Sequence, residues 1–90
     1  MWSGGLAADM GAHAVIGGQV SIHVRERIRE LRIAKKWSMV MLSDRIKATG
    51  GKHYDKSQLS WIETGHRRID VDDLAAIATA LGVEPIELLP

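Results

Sequence analysis

The stretch DKSQLSWIETG, residues 55–65, places side chains that form hydrogen bonds on one side of a short helical pattern. At helical spacing, Leu59 and Ile62 share the other, apolar side. The polar side carries a lysine, a tryptophan and three small hydroxyl residues: Lys56, Ser57, Ser60, Trp61 and Thr64. A helix that only filled a core would not need this second side. The pattern raises the question of why a short helix would expose a lysine, a tryptophan and three hydroxyl groups to solvent.

Catalytic and metal-binding motifs are weak in this sequence. Its four histidines lack the paired spacing of a zinc site, and it contains no cysteine. Gly50-Gly51-Lys52 lacks both the first glycine and the preceding strand of a phosphate-binding loop. We therefore predict that the protein is not an enzyme and uses no cofactor or metal.

Length and composition predict one small soluble domain. Ninety residues allow a single modest core, which must be built from Leu, Ile, Val, Ala and Met because the chain has no phenylalanine. No apolar run approaches the roughly 20 residues that span a bilayer, and the N-terminal stretch lacks the features of a signal peptide. We expect a cytoplasmic protein.

The net charge of +1 hides a strong asymmetry along the chain. Residues 25–68 hold twelve Lys and Arg against five acidic residues, a net charge of +7, whereas residues 69–90 hold five acidic residues and no basic one. A basic region attracts polyanions, as nucleic-acid binders do. On charge alone, a solvated charged face is the alternative interpretation.

Capping signals divide residues 21–90 into five helices and no convincing strand. The expected N-caps are Ser21, Ser38, Asp55 and Asp70, the last with Asp73 in an approximate capping box. Helix 1 is predicted over residues 22–36, helix 2 from 39 to Thr49-Gly50-Gly51, helix 3 up to Gly65, helix 4 up to Gly82 and helix 5 over 85–89. Periodicity turns these residues inward: Val24, Ile28, Leu31, Ala34, Leu42, Ile46, Val71, Leu74, Ile77, Ala78 and Leu81. Residues 1–20, with five of the nine glycines, are predicted to be a flexible Gly/Ala-rich arm.

The ordered set of signals resembles the lambda-repressor-like helix-turn-helix family, which includes phage repressors, Cro proteins and small bacterial regulators. The matching stretches are RIRELRIAKKWS (27–38), LSWIETGHRRID (59–70) and DDLAAIATALGVEPIELL (72–89). The resemblance implies an all-α, compact five-helix domain that binds double-stranded DNA, usually as a homodimer. It also implies that Glu63 bonds an arginine or a backbone group inside the domain.

On the family pattern, helices 2 and 3 read DNA. The implied base-reading residues in the major groove are Lys56, Ser57, Gln58, Ser60 and Trp61. Lysine donates to guanine O6 and N7, a serine hydroxyl pairs with several base edges, and Trp61 would pack on thymine methyls or sugars. A Trp61 half-buried against a neighbouring helix or a partner is the alternative.

Phosphate contacts are implied at both flanks of this face by Ser38, Lys52, Thr64, His66, Arg67 and Arg68. Ser38 lies at the start of helix 2, where unpaired backbone N–H groups and the positive end of the helix dipole suit a phosphate. Of the residues after Gly65, Arg67 and Arg68 are better candidates than His66. Solvated loop charges are their alternative interpretation.

Two features depart from the family pattern. Met39 stands where many relatives carry glutamine, and the apolar run Met39, Val40 and Met41, together with Trp61, is a possible surface for a protein partner. The turn between helices 2 and 3 is also longer than in most relatives. Tyr54 either follows the phosphate backbone with the preceding loop or, as we favour, fills the apolar position before helix 3 with its hydroxyl at the surface.

The sequence therefore predicts a sequence-specific transcriptional regulator, a repressor encoded by a bacterium or phage and associated with the nucleoid when bound. Dimerisation is expected through Ile86, Leu88 and Leu89, which exceed what one short helix can bury. The rival interpretation is an antitoxin-like or accessory protein-interaction module with secondary DNA binding. RNA binding is a weaker alternative, because no aromatic stacking platform is evident.

Overall fold

The computed structural model describes residues 14–90. Four α-helices form this part of the chain: α1 (Gly18–Ala34), α2 (Met39–Ala48), α3 (Lys56–Thr64) and α4 (Val71–Leu81). The predicted all-α class is confirmed, but the count of five α-helices is wrong. The last predicted helix is instead a four-residue 3-10 helix, Pro85–Leu88. Helices of the 3-10 type are usually this short.

Side-chain caps decide where α2, α3 and α4 begin. Ser38, Asp55 and Asp70 each accept a hydrogen bond from a backbone N–H in the first turn of the helix that follows, which confirms the three predicted caps. The side chains of Gln58 and Asp73 in turn accept hydrogen bonds from the backbone N–H groups of Asp55 and Asp70. These bonds complete the capping boxes of α3 and α4. The predicted stops of α3 and α4 are also confirmed, because Gly65 and Gly82 adopt left-handed conformations with φ of 87° and 77°.

The predicted start of α1 is wrong. The helix begins at Gly18, and Ser21 lies buried in its first turn, where its hydroxyl donates to the Gly18 carbonyl at 2.8 Å. The expectation of no strand is also wrong: β1 (Val15–Ile16), just before α1, pairs in antiparallel register with β2 (Ile69–Asp70), just before α4. The end of the segment expected as a flexible arm is therefore part of the folded unit, while residues 1–13 lie outside the described residues.

One core joins all four α-helices. Its fully buried apolar residues are Val24, Ile28, Leu42, Ile46, Tyr54, Leu59, Ile62, Ile69, Ile77, Ala78, Leu81 and Leu88. Ala34 and Val71 were predicted to face inward and are exposed, because both lie in the terminal turns of their helices, beyond the neighbours that cover the middle.

The C-terminal 3-10 helix packs against α1 and α4. Leu88 is fully buried, so its predicted place in a dimer surface is wrong. Ile86 and Leu89 point outward, with 73% and 37% of their surface exposed. The C-terminal end therefore offers two apolar side chains to a partner, not three.

Candidate nucleic-acid interface

The outer face of α3 is open to solvent, as the sequence predicted. Leu59 and Ile62 are buried and hold the helix on the core. Lys56, Ser57 and Trp61 are exposed on the opposite side, Trp61 by 52%. Because most of this face has no packing role in the described chain, it remains available to a partner.

A groove of about 270 Å³ runs between the start of α2 and this face. We call it the reading groove; its lining residues are Met39, Lys56, Ser57, Ser60 and Trp61. Four of the five residues predicted to read bases therefore lie together, and Met39 joins them from α2. The lining combines two apolar side chains with one ammonium group and two hydroxyl groups.

Gln58, the fifth predicted base-reading residue, does not line this groove. Its side-chain Oε1 accepts a hydrogen bond from the Asp55 backbone N–H at 3.0 Å, and its own backbone N–H donates to Asp55 Oδ1 at 2.8 Å. The capping box therefore occupies the amide oxygen of Gln58. The Asp-x-x-Gln spacing is itself the sequence signal for this role, and sequence reasoning missed it.

The flanks of the reading groove hold three candidate phosphate contacts. Ser38 caps α2 by accepting from the Met41 N–H at 3.2 Å, which leaves its hydroxyl hydrogen free to donate. His66 and Arg68 are exposed beyond the end of α3. Thr64 is more constrained, because its hydroxyl lies 2.9 Å from the Ser60 carbonyl and 2.8 Å from His66 Nδ1.

Arg67 and Lys52, two further predicted phosphate contacts, both pair with the buried Asp73, while the side chain of Lys52 remains 58% exposed. Each places a side-chain nitrogen 3.7 Å from Asp73 Oδ1. Each also lies over the ring of Tyr54, at 5.6 Å for Arg67 and 5.2 Å for Lys52. Sequence reasoning ranked Arg67 above His66 as a phosphate contact. The buried carboxylate explains why its guanidinium instead faces α4.

The longer turn before α3 is anchored by Tyr54, which is 1% exposed. Its hydroxyl donates to Asp73 Oδ1 at 2.5 Å, and its backbone carbonyl accepts from the Ser43 hydroxyl. Tyr54 thus fills the predicted apolar position before α3, but the expectation that its hydroxyl is at the surface is wrong. Burial, followed by the bond to Asp73, raises the pKa of Tyr54 far above its usual value.

Asp73 is the centre of this cluster and is 1% exposed. Burial alone would raise the pKa of its carboxyl group. Hydrogen bonds from the Tyr54 hydroxyl and the Asp70 backbone N–H, together with the charges of Arg67 and Lys52, outweigh burial and hold this pKa below its usual 3.8. The folded chain therefore keeps Asp73 ionised.

Acid is expected to destabilise the domain through Asp73. Between the folded and unfolded pKa values, the unfolded chain binds a proton that the folded chain does not, so the free energy of unfolding falls as the pH drops through that window. The contribution is fully present above about pH 5 and is lost as the pH falls through the folded pKa. Urea unfolding of the wild type across this range should show the fall, and Asp73→Asn should show a smaller one. The exposed Asp44→Asn variant is the matched control, and a slope reduced as much by Asp44→Asn would contradict this role.

A second polar link fixes the end of α3. Arg32 donates to both carboxylate oxygens of Glu63, at 2.7 and 3.0 Å, and its third nitrogen donates to the Trp37 carbonyl at 2.8 Å. The bond to Glu63 is the main reason that the pKa of Arg32 is raised. The predicted structural role of Glu63 is confirmed. The pair ties α3 to α1 and to the segment that leads into α2.

The apolar residues suggested for a protein partner do not form one patch. Met39 and Trp61 line the reading groove, whereas Met41 lines a separate groove of about 400 Å³ with Trp37 and Arg45. Val40 is 52% exposed and lines neither groove. A protein that contacted all four residues would have to cover two surfaces.

Within residues 14–90, no group of histidine and acidic side chains is placed to hold a metal ion. Over the same residues, no helix combines the length and apolar character needed to cross a bilayer.

Comparison with known families agrees with this geometry. A protein-family model described as a helix-turn-helix domain matches residues 23–89, which is well over half of the chain. The protein therefore belongs to this helix-turn-helix family, a class of DNA-binding domains, and the resemblance found in its sequence is confirmed. Searches of curated proteins and of solved structures found no significant match.

Proposed function

We propose that this protein is a sequence-specific transcriptional regulator that inserts α3 into the major groove of DNA. The observation that carries the proposal is the division of α3 into a buried side, formed by Leu59 and Ile62, and an exposed side that lines the reading groove. An α-helix fits the major groove, where each base pair presents a distinct pattern of donors and acceptors. Lys56 and Ser57, in the first turn of α3, supply donors to base edges.

Phosphate contacts flank the reading groove in this proposal. The start of α2 offers backbone N–H groups and the Ser38 hydroxyl on one side. Arg68 and His66 offer side chains on the other. Lys52 remains 58% exposed and can add a weaker contact, whereas Arg67 mainly holds the cluster around Asp73. These contacts set the position of the protein, and the groove residues select the sequence.

Salt dependence is the first test of this function. Duplexes selected from random DNA should bind tightly at about 50 mM salt and lose about 10³-fold or more in affinity by about 200 mM, because a dimer releases several counterions. Arg68→Ala should weaken all duplexes alike and flatten the salt slope, whereas Lys56→Ala should relax base preference. Fluorescence anisotropy measures both. Failure of every duplex to bind at the lower salt would contradict the proposal.

The regulator is proposed to act as a homodimer through Ile86 and Leu89. A single recognition helix buries too little surface for tight specific binding, so two copies on a two-fold-related operator are needed. Residues 69–90 carry only acidic charges, which keep this end away from phosphates. A homodimer bound to an operator that overlaps a promoter would repress transcription. The bound protein would then be associated with the nucleoid of a bacterium or of a phage-infected cell.

Ile86→Asp is expected to convert dimer to monomer and to weaken operator binding at least about tenfold, because an aspartate in an apolar interface loses its hydration. The fold should persist, since Ile86 is 73% exposed. Ile33→Asp is the matched control on α1, where the side chain is 52% exposed. Analytical ultracentrifugation measures the mass. A wild-type protein that stays monomeric on DNA would rule out this interface.

A second candidate function, a protein-interaction module of the antitoxin or accessory type, rests on the groove beside Met41. Its lining residues are Trp37, Met41, Asp44, Arg45 and Ala48, and the ring of Trp37 carries Lys35 and Arg45 at 5.2 and 5.3 Å. Met41→Ala should leave DNA affinity unchanged if the first function holds. Loss of a protein complex with intact DNA binding would favour the second.

A further inference from the structure

The reading groove combines two kinds of wall. Met39 and Trp61 form an apolar wall, one from the start of α2 and one from the middle of α3. Lys56 and Ser57 form a wall of hydrogen-bond donors at the N-terminal end of α3. A ligand group that matches both walls needs a small apolar part directly beside a hydrogen-bond acceptor.

The base edges in the major groove differ in this respect. Guanine offers the acceptors N7 and O6 without an apolar group, cytosine offers a donor, and adenine offers one acceptor and one donor. Thymine alone carries the C5 methyl group next to the acceptor O4. The two walls of the reading groove therefore match thymine better than the other three bases.

Met39 makes this match possible. Its side chain packs against the core from the first turn of α2 and remains half-buried, so it presents an apolar surface to the groove. Trp61 supplies the other apolar side chain of the lining and keeps 52% of its surface exposed in the free protein. A methyl group placed between the two would exchange contact with water for contact with side chains.

We propose that the reading groove recognises the 5-methyl group of a thymine in each half-site, with Met39 and Trp61 on the methyl and Lys56 or Ser57 donating to O4. This inference rests on the proposed DNA-binding function and names the base that the groove selects.

Replacing thymine by deoxyuridine tests the inference, since it removes only the methyl group. In a half-site selected from random duplexes, one thymine should be sensitive, and its replacement should weaken wild-type binding about fourfold. Every other thymine should tolerate the change. Trp61→Ala and Met39→Ala should bind thymine and deoxyuridine duplexes equally, which abolishes the difference that the wild type shows. Met41→Ala, which changes the separate groove beside α2, is the matched control and should keep the full difference.

Three results would overturn the inference. The first is tight binding to a half-site that has no thymine, or in which no thymine methyl affects affinity, and this result would leave the DNA-binding function intact. The second is a Trp61→Ala variant that binds more weakly but keeps the methyl effect, because the indole would then pack on sugars. The third is the absence of binding to any duplex, which would overturn the function as well. Circular dichroism of Trp61→Ala should show that the fold is retained, because the Trp61 side chain is half exposed in the wild type.

Discussion

Glu63→Gln is expected to lower the free energy of unfolding by about 3 kcal/mol or more, because it removes the negative charge from the buried ion pair of Arg32 and Glu63. The side chains of Arg32 and Glu63 are only 15% and 5% exposed. After the substitution, the Arg32 guanidinium keeps its bond to the Trp37 carbonyl but faces a neutral amide. Since a small domain has a total stability of about 5–15 kcal/mol, a large part of it depends on this pair.

The exposed pair Arg27 and Glu30 provides the matched control. Its atoms lie 3.6 Å apart, and its side chains are 41% and 67% exposed. Glu30→Gln makes the same chemical change, but solvent screens the pair, so the expected loss is below about 0.5 kcal/mol. Urea unfolding followed by circular dichroism compares the two variants. Equal losses of unfolding free energy would show that burial does not set the strength of the pair of Arg32 and Glu63.

Lys56→Glu is expected to lower DNA affinity at least about a hundredfold while leaving the fold unchanged or slightly more stable. Lys56 is the first residue of α3 and is exposed. An acidic side chain at that position interacts favourably with the positive end of the helix dipole. Next to DNA, the same carboxylate meets phosphates and the acceptor atoms of base edges. Stability and binding should therefore change independently, and a variant that unfolds would contradict the exposed role given to Lys56.

Arg29→Glu separates this local effect from the change in net charge. It alters the total charge by the same amount, but Arg29 lines a groove on α1 with Glu26, Glu30 and Ile33, apart from the reading groove. Only the long-range attraction to DNA should decrease, by about fivefold or less at moderate salt. Paired measurements of melting temperature and anisotropy decide the comparison. Equal losses of affinity would mean that α3 does not touch the bases.

Local signals in the sequence were sufficient for the starts of α2, α3 and α4. Ser38, Asp55 and Asp70 cap their helices through bonds to residues three positions away, so the information lies within one turn. The open side of α3 also followed from spacing alone. Such features depend on neighbours in the chain, and a single sequence displays them.

Contacts between distant segments were not predictable in the same way. The pairing of Val15 with Asp70 joins residues far apart in the chain, and two-residue strands carry no periodicity of their own. Arg67 was assigned to phosphates because its partner, Asp73, was seen only as a helix cap. Leu88 was assigned to a dimer because a short helix predicts no fixed face. In each case the deciding neighbour comes from another helix or strand.

Most residues of the candidate site were predicted from the sequence, but the way in which α2 and α3 bring them together was not. Lys56, Ser57, Ser60 and Trp61 were identified from α3, whereas the contribution of Met39 to the same groove depends on how α2 crosses α3. Gln58 was predicted to read bases, but its amide oxygen serves a helix cap, and the spacing of Asp55 and Gln58 identifies only this second role.

Tyr54 and Asp73 also limit which substitutions the chain can accept in the course of evolution. A phenylalanine at position 54 would remove the hydroxyl that donates to the buried Asp73 carboxylate. An alanine at position 73 would leave the buried Tyr54 hydroxyl without its acceptor. Either change alone lowers stability by leaving one partner of this bond behind, whereas a joint change to two apolar side chains removes donor and acceptor together, at the cost of the contacts of Asp73 with Arg67 and Lys52. The two positions should therefore covary among homologues that share the long turn, and their substitutions should show sign epistasis.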